Sequence, residues 1–124
     1  MVLSTFKVRR QYVQCRRSAR GAYLLAIASG RAELPALCAL ADFSSRVAEM
    51  RACKRVLFDL LAVERGLLPH EEAQLSTHLA AVFGTFERVA SVRPQLHEFS
   101  PGLPIPPIRT FLTLEEAGVW LVQA

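Results

Sequence analysis

Four carboxylates lie close together in the middle of this chain: Asp59, Glu64, Glu71 and Glu72. Carboxylates at such short spacing can divide the work of general acid and general base when their surroundings push their proton affinities apart. Nothing beside them completes a catalytic set. No nucleophile with a neighbouring base accompanies them, and Ser29-Gly30-Arg31 reads as a turn, not a phosphate-cradling loop. The plainer reading is that these acids cap a helix and solvate a loop, and no enzyme activity is expected.

The histidines and cysteines give a similar answer. His70 and His78 are eight residues apart, about two helical turns, whereas ligands on one helix sit three or four apart; His97 belongs to a different segment. The three cysteines, Cys15, Cys38 and Cys53, are odd in number and widely spaced, so they form neither a disulfide framework nor a zinc pattern. Cys38 and Cys53 read as small packed hydrophobes. No metal and no cofactor is expected.

Charge is unevenly placed. The net charge is +4, but residues 1–31 hold seven basic side chains and no acid, and the remainder holds eight basic and eleven acidic. Arg9, Arg10, Arg16, Arg17 and Arg20 form a candidate patch for an anionic partner. The competing reading is an edge strand guarded from pairing by charge. Phe6, Tyr12 and Tyr23 are the only aromatic residues nearby and no basic helix adjoins them, so a nucleic-acid partner is not expected. A further candidate is the proline-rich loop carrying Phe99, Leu103 and Ile105, whose prolines reduce the entropy lost when an apolar contact forms.

The elements that must position these residues follow from periodicity. With 124 residues, 52% hydrophobic and 21% charged, the chain suits one folded domain over 1–124 and is not disordered. Phe6–Gln14 alternates as a strand, Arg16–Gly21 reads as a turn, and the apolar run Ala22–Ser29 reads as a buried strand paired with the first in a hairpin. Leu34–Lys54 shows helical spacing, with Ala36, Leu40, Phe43, Val47 and Met50 on one face, Leu37, Ala41 and Ala48 widening it, and Pro35 in the first turn. Val56–Leu60 is a short strand. Pro69 with Glu71 and Glu72 opens a second helix, with Leu75, Leu79 and Val82 or Phe83 inward and Gly84 as its C-cap. Val89–Val92 and Ile108–Leu112 are strands, and the loop Gln95–Pro107 between them holds four prolines. Thr113 and Glu116 form a capping box for a closing helix with Ala117, Trp120 and Leu121.

The resulting order, β β α β α β β α, predicts an α/β domain: a single mixed, mostly parallel sheet of about five strands with three helices. The longest strongly apolar run, Ala22–Ala28, is far too short to span a membrane, and Met1–Thr5 leads into alternating charge with no signal peptide, so a cytoplasmic location is expected.

This pattern resembles the STAS-like, or SpoIIAA-like, fold of the anti-sigma-factor-antagonist superfamily, in particular its small uncharacterised bacterial members. Three stretches carry the likeness: the helix leading into Cys53-Lys54-Arg55-Val56-Leu57-Phe58-Asp59, the segment Pro69–Val92 with its strand from Arg88, and the ending Arg109–Leu121 with Glu115-Glu116-Ala117 and Trp120-Leu121. The likeness spans about residues 5–122. It implies a module that binds protein partners and is not an enzyme. Signalling members of the family carry a phosphorylated Ser at the start of the helix after the third strand. Here Leu60–His70 contains no Ser or Thr, while Glu71 and Glu72 place permanent negative charge at that helix start. A constitutive contact surface is therefore expected, formed by Asp59, Glu64, Leu67, Leu68, Glu71, Phe99, Leu103 and Ile105 and engaging a protein partner or a second copy in a homodimer. The alternative is a small apolar ligand or lipid held in a cleft under loop 99–108.

Overall fold

The computed structural model describes residues 2–8, 11–18, 21–31, 33–64, 67–93 and 108–123; for residues 2–22 and Glu64 it describes the backbone alone. Six strands form one sheet: β1 (Val2–Val8), β2 (Gln11–Ser18), β3 (Gly21–Arg31), β4 (Arg55–Glu64), β5 (Arg88–Val92) and β6 (Ile108–Phe111). Their order across the sheet is their order along the chain. β1–β2 and β2–β3 pair antiparallel, and β3–β4, β4–β5 and β5–β6 pair parallel. Helices α1 (Leu34–Met50) and α2 (Pro69–Phe83) connect parallel neighbours, and α3 (Leu114–Leu121) follows β6.

The mixed, mostly parallel α/β class expected from the pattern is what the chain adopts, with one strand more than expected. The stretch Phe6–Gln14, read as one strand, divides between β1 and β2. The Arg16–Gly21 turn is strand as far as Ser18. Alternation in the sequence carries on from β1 into β2, so it does not mark where one strand ends. A central strand also draws its backbone bonds from both neighbours whatever the polarity of its side chains. β4 likewise runs on to Glu64, four residues beyond the expected strand end at Leu60.

Successive residues of a strand face opposite sides of the sheet, and the two sides bury different clusters. In register across β3, β4, β5 and β6, Leu24, Val56, Val89 and Ile108 form one row under α1 and α2. The next row, Leu25, Leu57, Ala90 and Arg109, lies on the α3 side. Beneath α2, Phe83 is fully buried and meets Phe58 and Phe86 edge-on, with ring centroids 5.5 and 4.8 Å away. Such pairs contribute about 0.5–1.5 kcal/mol beyond their buried area.

The buried stripe of α1 is Leu37, Leu40, Ala41, Ser44 and Ala48, four of them on the expected face; Phe43 and Val47 of that face are partly buried, and Met50 at its end is 82% exposed. Ser44 is tolerated there because its hydroxyl donates to the Leu40 carbonyl at 2.6 Å. The helix ends at Met50, before the expected Lys54. Ala52 takes a left-handed backbone (φ 52°), and the Cys53 N–H donates back to the Ala48 carbonyl at 2.8 Å. This turn satisfies carbonyls that would otherwise be left open at the helix end, in a conformation that favours glycine.

Candidate functional site

All three helices begin at the edge of the sheet where the parallel strands end. The row Ile27, Asp59, Val92 and Phe111 marks that edge on the α3 side. Beyond it β3 and β4 continue as a pair to Arg31 and Glu64. The register slips there, so that Ile27 pairs with Asp59 but Ser29 pairs with Ala62. The extra residue forms a bulge, and the Asp59 carboxylate holds it by accepting from the Leu61 N–H at 3.2 Å. Gly30, opposite Val63, has φ 87° and supplies the backbone freedom this extension needs.

The other acids of the predicted cluster each have a local partner. Glu71 stands at the third position of α2 and accepts from the Leu68 N–H at 3.0 Å, closing the helix start. Glu72 lies 3.8 Å from the guanidinium of Arg93, the residue that follows β5. Arg93 is mostly buried, and its own N–H donates to the Phe111 carbonyl at 3.0 Å. Burial pushes its proton affinity down and the Glu72 charge works against that shift. Glu64 belongs to β4 by its backbone. Asp59, Glu71 and Glu72 therefore share one edge of the sheet, and each carries out structural work there.

Apolar surface gathers at the same edge. Of the six large hydrophobic residues exposed among the described residues, four stand here: Leu61 after the bulge, Leu68 (56% exposed) before α2, Leu112 after β6, and Leu114 opening α3. Leu67 packs partly into the cluster under α1 and α2, and Leu68 is the more exposed of the two. Phe99, Leu103 and Ile105 lie outside the described residues, as do Arg9, Arg10, Arg20 and His97. The cleft expected under loop 99–108 therefore has only Ile108 in view, which is half-buried against the α1–α2 cluster. Arg16 and Arg17 are placed by backbone in β2, opposite Tyr23 and Ala22, in an interior strand and not at the sheet edge.

Two pairings escaped the sequence reading. Arg93 and Glu72 are far apart along the chain, and only the parallel placement of α2 beside β5 brings them together. His78 Nε2 and Asp42 Oδ1 lie 2.7 Å apart between α2 and α1. Both sit on the polar flanks of their helices, and the crossing that joins them has no local signature. Cys38 stands one turn before Asp42; burial first, and the Asp42 charge second, push its thiol up from the ordinary value. Such a thiol is a weak nucleophile at neutral pH. His70 is exposed in the first turn of α2. Among the described residues no group of three or more His, Cys, Asp or Glu could hold a metal ion, and no helix is long and apolar enough to cross a membrane.

No protein-family model matches the chain, and no curated protein matches it. In fold the chain is similar to an uncharacterised protein of the DUF3478 family from Shewanella loihica PV-4, whose crystal structure has a SpoIIAA-like fold. The TM-score is 0.54 at 20% sequence identity, over 95% of this chain and 98% of that one. The fold of this chain is thus SpoIIAA-like, as the three stretches quoted above implied.

Proposed function

We propose that this protein is a non-enzymatic protein-interaction module of the STAS-like type, and that its contact surface is the edge where the parallel strands end. The observation that carries this reading is the concentration there of exposed Leu61, Leu68, Leu112 and Leu114 around acids that are already engaged in capping. Apolar residues with an acidic rim suit a protein contact better than catalysis. The absence of Ser and Thr from Leu60–His70, with Glu71 and Glu72 fixed at the start of α2, supports binding that needs no phosphorylation. The partner is another protein or a second copy of this chain.

The test is a photo-crosslinking amino acid at position 68, combined with light scattering over rising concentration. Crosslinks to a partner or a second copy, lost in Leu114→Glu, are expected. A protein that stays at its 13.8 kDa monomer mass up to about millimolar concentration, with no crosslink in extract, would overturn the reading.

A further inference from the structure

We propose that a second surface, built on Arg109 and Trp120 at the β6 edge of the sheet, binds an extended acidic segment of a protein partner. This surface adjoins the edge assigned above at the end of β6 but uses different side chains, and it does not depend on that assignment.

The argument starts from register. On the α3 side, Leu25, Leu57 and Ala90 are buried neighbours, and Arg109 takes the outer end of their row in β6. Its guanidinium is exposed but not loose: it stacks 5.5 Å from the Phe111 ring centroid and 5.9 Å from that of Trp120. The two rings are themselves 5.5 Å apart. Stacking on aromatic faces fixes the planar fork and lowers the entropy lost when its N–H groups bind.

The neighbouring cations are spent. Arg55 donates to the Leu121 and Gln123 carbonyls at 2.8 and 3.1 Å and pairs with Glu87 at 3.1 Å. Arg88 donates to the Trp120 carbonyl and stacks on the same indole at 5.2 Å. Both complement the negative end of α3. Arg109 has no carboxylate or carbonyl partner among the described residues. It is a positioned cation that the fold does not use.

The strand beneath it completes the surface. β6 is the end strand of the sheet, paired only with β5 among the described strands. Its outer backbone groups match another extended polypeptide, whose alternate side chains would fall beside Arg109 at ordinary cross-strand spacing. Charge alone can guard an edge strand, but guarding gives no reason to hold the cation against two rings. A nucleic acid would require a track of unspent cations, and this surface offers one.

Trp120 is the only tryptophan of the chain, so its emission reports binding directly. The probe is a ten-residue peptide alternating Glu and Val, with a Lys–Val peptide and a single-stranded oligonucleotide as comparisons. A saturable emission change with the acidic peptide alone is expected, weaker at high salt. Arg109→Ala should weaken it about tenfold or more, and Arg109→Lys, which keeps the charge but loses the fork, should restore it only partly. Circular dichroism checks the fold of each variant. No response to the acidic peptide at millimolar concentration, an equal response in Arg109→Ala, or a stronger response to the oligonucleotide would overturn the proposal. Leu114→Glu leaves Arg109, Phe111 and Trp120 in place, so failure at one surface is distinguishable from failure at the other.

Discussion

Arg93 and Cys38 show what single residues do here. Arg93 is a mostly buried cation whose nearby carboxylate, Glu72, is itself about a quarter exposed. Removing that carboxylate takes a nearby negative charge away from a guanidinium in a poorly solvated site. Glu72→Gln is therefore expected to lower stability by about 1–2 kcal/mol, below the cost for fully buried pairs because solvent reaches Glu72. Urea unfolding measures it, and Glu72→Gln combined with Arg93→Met should cost less than the sum of the two single changes. Cys38 has the opposite problem, since burial and the Asp42 charge both disfavour its thiolate. Its folded-state pKa is raised, so at pH 7–8 the folded chain holds less thiolate at this position than the unfolded chain. Alkylation of Cys38, followed by site-resolved mass spectrometry, should be slower in the native protein than in urea and should accelerate as pH rises. The associated stability is fully present below the unfolded-state pKa and is lost as pH climbs through the folded one.

At the scale of elements, the ends of the helices carry most of the information. Thr113 accepts from the Glu116 N–H at 3.2 Å, so the N-cap half of the expected capping box is formed at the start of α3. Thr113→Ala should cost about 1 kcal/mol. Because α3 carries Trp120, the loss should appear as an earlier change in tryptophan emission on heating. The end of α1 was not legible, because an alanine holds the left-handed turn where a glycine would have announced it. Ala52→Gly is expected to stabilise the protein by about 0.5–1 kcal/mol, the relief of strain exceeding the added freedom of the unfolded chain; thermal melting tests it. The same contrast explains the strands. Val56–Leu60 and Val89–Val92 announced themselves by continuous apolarity, because both faces of the parallel region are covered. The division of the N-terminal strands and the Asp59 bulge depend on pairing partners, which no local pattern names. Leu68 could be placed at the sheet edge from the sequence, and the structure exposes it there. Arg109 was not legible in this way, since its setting comes from the Trp120 ring on α3 together with Phe111 of its own strand.

Across the whole molecule, charge among the described residues is biased along the strand axis. Glu33, Asp59, Glu71, Glu72, Glu115 and Glu116 stand with Arg31 and Arg93 at the edge where the parallel strands end, and Arg51, Lys54, Arg55 and Arg88 with Glu49 and Glu87 at the edge where they begin. If two copies meet through the leucine-bearing edge, acids face acids. Raising salt from about 50 to 500 mM, which shortens the screening length severalfold, should then strengthen self-association, as light scattering would show. Weakening by salt would instead point to an acidic edge meeting a basic one, a contact that need not close into a dimer.

The strand order has a consequence for how the chain reaches this state. Every strand pairs with the strand before it, and no pairing skips over a neighbour. The sheet can therefore grow by addition at one edge as the chain leaves the ribosome, with each loop closed over a short span. The α1–α2 cluster can close in step with β4 and β5. Leu25, Leu57, Ala90 and Val92 on the opposite side wait for Ala117 and Leu121 of α3. A nascent chain halted before Thr113 should thus hold an assembled sheet with one bare apolar face, the species most prone to aggregate during synthesis.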